Sequence, residues 1–294
     1  MDFATNFGRR AFRRPTTAED RAILMAAYTA GRTGGSYAEG IEVMVRAALQ
    51  SAHFLYRLET TAPANAGAQL VPLSQYELAS RLSFLIWSAG PDDALLDAAG
   101  RGELGDRAAV ATKARAMLAD PKARVAITDF YNQWIGTSRL DIMTKSTTLF
   151  PSYSDAVRDA MKAETPAFVQ YVLWTGDHKL STLLTSPAAF VSSALAPIYG
   201  VTVPASATTP QMMMLPAAQG RAGILTQAGF LAVQAHPDQT SPVLRGKFVR
   251  ARLLCDVPPP PDNNVNISIP DASSAKTARD RFGAHLTAGT TCNS

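Results

Sequence analysis

The chain has 294 residues, 47% hydrophobic and 18% charged, which is enough apolar material for a sizeable core and argues against disorder. Its 28 Lys and Arg stand against 24 Asp and Glu, a formal charge of +4 spread thinly along the length, so no concentrated nucleic-acid-binding face is expected. Two cysteines, Cys255 and Cys292, cannot build the dense disulfide framework of a small secreted scaffold, although they suffice for one bridge.

The opening MDFATNFGRR lacks the apolar core of a signal peptide, and no run of about 18 apolar residues follows, so no transmembrane span is expected. After Pro15, TTAEDRAILMAAYTAGR pairs Thr17 with Asp20 at capping spacing, sets Ile23, Leu24 and Ala27 at helical spacing and stops at Gly31, which predicts a helix. A second is predicted from Ile41, Met44, Val45 and Leu49 at steps of three and four, with FLYRLE continuing or restarting it. TTAPANAGAQLVP, over 60–72, has the composition of a linker. Ser74 and Glu77 then form a capping box, and GPDDALLDAAG sets Pro91 in a first turn with Asp92 and Asp93 beside the positive end of a helix dipole. Residues 106–136 read as two helices broken at Pro121, and 151–174 as a long helix bent or interrupted at Pro166.

From Leu180 to Gly220 there is no charged residue, while prolines at 187, 197, 204, 210 and 216 forbid a single helix. The expectation is packed irregular chain with short helices, one at SSALAPIYG. The Met cluster at 212–214 either fills uneven gaps or walls an apolar pocket. From Arg221 the pattern is helix, polar turn, helix and proline stop, with Thr240 or Ser241 as cap, Pro242 in the first turn, and Leu244, Phe248, Ala251 and Cys255 on one stripe. Extended chain and a short helix at KTARDRFGAH complete the reading.

Candidate chemistry is sparse. His53, His178, His236 and His285 show no i, i+4 pairing and no Cys pair stands near them, so no metal site is expected. His53, between Ala52 and Phe54, reads as structural. HPDQTSPVLRGK gathers His236, Asp238, Thr240, Ser241, Arg245 and Lys247 around a helix start. Asp238, Ser241, Arg245 and Lys247 are there the candidates for an anion or ligand site; alternatively the oxygens cap the helix while Arg245 pairs internally. Adjacent Asp92 and Asp93 do not face each other on a helix, and no G-x-S-x-G elbow, phosphate loop or dinucleotide fingerprint occurs, so no catalytic residue is assigned.

The phrases FGRRAFRRPTT, ALQSAHFLYRLE, YELASRLSFLIWSAGPDDALLDAA, AMLADPKARVAITDFYNQWI, RAGILTQAGFLAVQAHPDQTSPVLRGKFV and LLCDVPPPPDNNVN closely resemble the planctomycete-type multi-domain envelope proteins built from domains of unknown function 1595, 1592 and 1588. On that resemblance, 1–60 is an N-terminal 1595-like segment, 70–205 a central 1592-like helical domain and 215–294 a 1588-like segment of helix and proline-rich chain. The resemblance implies a largely helical, exported protein of the periplasm or cell envelope, with cytochrome c modules or envelope components as partners. In relatives the 1588-type domain runs into a C-x-x-C-H haem attachment signature, and here TTCNS supplies Cys292 and two further residues. It therefore implies that the chain is an internal fragment whose complete form carries haem c at Cys292, with His236 or Met212 as distal ligand candidates and no haem on the fragment itself.

The combined expectation is a mainly α, multi-helical fold with proline-rich irregular segments and little or no β-sheet. The function expected is redox or electron-transfer associated. The alternatives are a non-redox envelope binding or scaffold protein using 180–220 and the HPDQTSPVLRGK turn, and, behind it, an envelope hydrolase.

Overall fold

The computed structural model describes residues 2–59, 71–260, 271 and 277–283. Among them helix dominates, and the sheet consists of two short antiparallel strands. The chain divides into two compact units, Met1–Ile127 and Thr128–Ser294.

The first unit contains α1 (Asp2–Phe12), α2 (Ala18–Arg32), α3 (Tyr37–Gln50), α4 (Ala52–Leu55), α5 (Gln75–Trp87), α6 (Asp93–Gly100) and α7 (Arg107–Ala119), and the division falls within α8 (Pro121–Ile135). Capping boxes start α2 at Thr17 and Asp20, α3 at Ser36 and Glu39, and α5 at Ser74 and Glu77. Each satisfies two otherwise orphaned backbone donors. Burial alone would raise the Asp20 carboxyl, but hydrogen bonds from Arg14 and Thr17 hold it at about 2. Phe12, Leu24, Met44 and Ala48 close the core of α1 to α3. Asp92 caps α6 by accepting from the Leu95 N–H at 2.9 Å, which leaves Pro91 one residue before the cap rather than in the first turn. The carboxylate can accept that N–H and proline cannot.

Arg13 closes the end of α4. It is buried, sits at φ 58, and donates to the carbonyls of His53 at 2.6 Å, Tyr56 at 2.8 Å and Phe54 at 3.3 Å. Carbonyls at a helix end have no intrahelical donor, and this one guanidinium serves three of those around the end of α4. Arg13→Ala is expected to cost about 2 kcal/mol in urea unfolding; an unchanged midpoint would show that water serves those carbonyls equally well.

The second unit contains the end of α8, a 3-10 turn at Thr137–Asp141, α9 (Asp155–Gln170), α10 (Leu180–Thr185), β1 (Ala188–Val191), α11 (Ala196–Tyr199), β2 (Gln211–Met214), α12 (Ala228–Val233), α13 (Pro242–Phe248) and α14 (Ala278–Arg281). α9 runs through Pro166 without a break and widens to π geometry only at Tyr171–Thr175. β1 and β2 pair with Ala188 opposite Met214 and Val191 opposite Gln211, and β1 packs against α9. The Met cluster is thus a strand: Met213 packs on the core while Met212 and Met214 are exposed, as strand alternation requires. Leu140, Met161, Val191, Leu195 and Tyr199 are among the core residues. The stripe predicted through Cys255 ends earlier. After α13 the helix turns π at Val249–Leu253, which shifts the register, and Cys255 lies beyond it, exposed and at φ 55.

Candidate functional site

The chemistry of the second unit centres on a carboxyl in its core. α9 buries Val157, Met161 and Phe168 along one face, and the same spacing of three and four places Glu164 and Thr165 on that face. Glu164 is fully buried, and its Oε1 accepts a hydrogen bond from the Tyr199 hydroxyl of α11. The Tyr199 oxygen in turn accepts from the Ala228 N–H at 2.9 Å, the Tyr199 carbonyl from Gln219 at 2.9 Å, and the Arg221 guanidinium lies 4.6 Å from the centre of its ring. Beside this pair, Thr165 donates to Gln227 Oε1 at 2.7 Å.

Two atoms of the cluster stay unpartnered among the described residues, Glu164 Oε2 and Gln227 Nε2. Both side chains line one small cavity with about 10 Å³ of free space, roughly the room one water needs. Burial drives the Glu164 carboxyl up to about 7; Tyr199, the Ala228 and Gly229 N–H groups and Arg221 restrain the rise without completing a bond to Oε2. Burial, then the neighbouring Glu164, raises the Tyr199 phenol, which keeps it a hydrogen-bond donor. The cluster can therefore hold a proton up to about neutral pH in a site closed to bulk water.

The loop that brings Arg221 and Gln227 here is shaped by Gly223, whose N–H donates to the Ser186 carbonyl at 2.7 Å, while the Thr226 hydroxyl accepts from the Ala222 N–H at 2.8 Å. Arg221 itself bonds the Thr226 carbonyl at 2.9 Å.

Three family matches follow the chain in order. Residues 1–59 match the family described as Protein of unknown function (DUF1595), residues 73–201 that described as Protein of unknown function (DUF1592), and residues 221–294 that described as Protein of unknown function (DUF1588), which also carries the name PSCyt3. The chain thus carries the DUF1595, DUF1592 and DUF1588 domains in that order. It matches no curated protein and no solved structure. In these terms Glu164, Thr165 and Tyr199 belong to the DUF1592 segment, and Arg221, Gln227 and Ala228 open the DUF1588 segment. The buried cluster is the seam between the two.

The DUF1588 segment also carries the turn singled out by its sequence. Ala235 and Thr240 form an isolated antiparallel bridge, and the His236 N–H donates to the Gln239 carbonyl at 2.9 Å. From the loop before α9, Lys145 donates to the His236 carbonyl at 2.8 Å and the Ser146 N–H to the Pro237 carbonyl at 2.9 Å. Burial lowers the Lys145 pKa, and Asp238 partly opposes the shift. The buried Ser241 hydroxyl accepts from the Leu244 N–H at 3.2 Å and so caps α13. His236 is half-buried and Asp238 exposed on the turn; Arg245, half-buried, and Lys247, exposed, make no ion pair among the described residues. Cys292 lies outside the described residues, and Met212 is exposed on β2.

Sequence reasoning missed Glu164. The available signal was a carboxylate on the apolar stripe of α9; its partners, 35 residues on at Tyr199 and later still at Arg221 and Gln227, carry no local signature. Among the described residues, no group of His, Cys, Asp and Glu is arranged to hold a metal ion, and no helix is long and apolar enough to cross a membrane.

Proposed function

We propose that this chain is the helical body of an exported, cytochrome c-associated envelope protein that serves electron transfer by holding a haem-bearing segment in place. The observation that carries the reading is the PSCyt3 match over 221–294, directly following the other two domains. The seam supports it physically. A buried, hydrogen-bonded network joining Glu164, Tyr199 and Thr165 to Gln227 and Ala228 fastens the start of the DUF1588 segment to α9 and α11.

A c-type haem requires two thiols and a histidine in C-x-x-C-H. The described residues do not fit that group: Cys255 is their sole cysteine and is followed by Asp256, Val257 and Pro258. In this proposal attachment belongs to Cys292, and no chemical step is assigned to the helical body.

The test is expression of the chain with its flanking coding sequence in a host that matures c-type cytochromes, followed by an absorption spectrum of the periplasmic product denatured in alkaline pyridine. A covalent haem signal that disappears in Cys292→Ala is the expected result. A folded, exported protein without that signal overturns the redox reading and leaves an envelope scaffold.

A further inference from the structure

The first compact unit holds an open cleft of about 940 Å³, walled by the end of α1, the chain after α4, and α5. It lies far from the Glu164 seam in sequence and does not depend on the haem reading. Four arginines line it against two glutamates. Two of the arginines are paired: Arg81 with Glu59 at 2.8 Å, and Arg14 with Asp20 at 2.6 Å. Glu77 closes the capping box of α5.

Arg13 and Arg57 remain. Their guanidinium carbons lie 5.7 Å and 4.8 Å from the centre of the Phe84 ring, so two cations lie against one aromatic ring. Neither has a carboxylate partner among the described residues. Arg13 is rigid and buried by its carbonyl bonds, whereas Arg57 is exposed to the cleft. Burial first, and the charge of Arg57 second, lower the Arg13 pKa, the sign of two cations held together without compensation.

An anion in the cleft would relieve that repulsion. The free guanidinium of Arg57 offers the planar fork that a carboxylate matches with two parallel hydrogen bonds. Phe84, Tyr76 and His53 supply flat walls, and the volume exceeds what a simple inorganic ion would use. We propose that this cleft is a binding site for a small organic carboxylate with a flat aromatic body, its carboxylate on Arg57 and its ring against the aromatic wall.

The experiment is calorimetric titration of the chain with 2-naphthoate and with its neutral isostere 2-naphthamide. Naphthoate is expected to bind at least about tenfold more tightly, the scale of one charge-assisted bidentate pair. Arg57→Gln should bring the two affinities together with the fold retained, since Arg57 is exposed and forms no ion pair among the described residues. Arg57→Lys, which keeps the charge and loses the fork, should fall between. Equal affinity for acid and amide, a preference that survives Arg57→Gln, or no saturable heat at low millimolar naphthoate would each overturn the proposal.

Discussion

Gly223→Ala is expected to cost more than about 4 kcal/mol and to unfold much of the second unit. Gly223 has φ 65 and ψ −178, a region open essentially to glycine alone. A Cβ there would stand 2.2 Å from the carbonyl carbon and oxygen of Leu184, which are backbone atoms and cannot rotate away. The loop would have to lift, breaking the 2.7 Å bond from the Gly223 N–H to Ser186 and withdrawing Arg221 and Gln227 from the buried cluster. Gly220→Ala is the control. Gly220 also has positive φ, at 61, but a Cβ there meets nothing within 4 Å, so about 1 kcal/mol is expected. Equal losses in urea unfolding for the two variants would show that the approach to Leu184 contributes nothing.

The stability of the protein should fall as pH rises through neutrality, and Glu164 should be the cause. Its carboxyl moves from an ordinary 4.5 to about 7 on folding, so between those values the folded chain keeps a proton that the unfolded chain has released. The unfolded state then binds fewer protons, and the stability slope with pH is negative. The neutral-acid contribution is complete below about 4.5 and lost above about 7, a change on the order of 3 kcal/mol. The groups facing the carboxyl are Tyr199 from α11, Arg221 from the loop before α12, and the Ala228 and Gly229 N–H groups. Glu164→Gln keeps an acceptor for the Tyr199 hydroxyl and removes the titration. Relative to the wild type it should be near neutral at pH 5 and more stable by up to about 3 kcal/mol at pH 8. Asp20, at about 2, titrates outside this window. Parallel pH profiles for the two chains would mean that Glu164 does not hold its proton in the fold.

What the sequence showed well was local. The Thr17 and Asp20 pair, Ser74 with Glu77, the break at Pro121 and a cap at Thr240 or Ser241 are all decided within a single helical turn, where one side chain either reaches a backbone donor or does not. The strands were not visible, because AAFV and QMMM are each four residues long, lie in an uncharged proline-rich stretch, and become strands only by pairing across some twenty residues. The Cys255 stripe failed for a similar reason: a π turn inserts extra residues that an ideal period of 3.6 does not anticipate.

The candidate sites divide along the same line. The HPDQTSPVLRGK turn stood out because polar residues crowd together in sequence; a cap at Thr240 or Ser241 ahead of Pro242 was legible there, and the structure assigns it to Ser241. Glu164 was on display as a carboxylate within an apolar stripe, but whether it met solvent, an arginine or a tyrosine depended on α11 and the Gly223 loop arriving beside α9. The same holds for Arg13 and Arg57, separated by more than forty residues and joined only over Phe84.

By itself, then, the sequence determined the helical class of this protein, its three domain matches and several of its helix starts, since periodicity, capping and domain motifs are short-range properties of the chain. Only the tertiary structure decided which ionisable groups lose water, and therefore where a proton is held at Glu164 and where two arginines lack a counter-charge. Desolvation and Coulomb energy depend on distances through space, and those are set by which segments pack together.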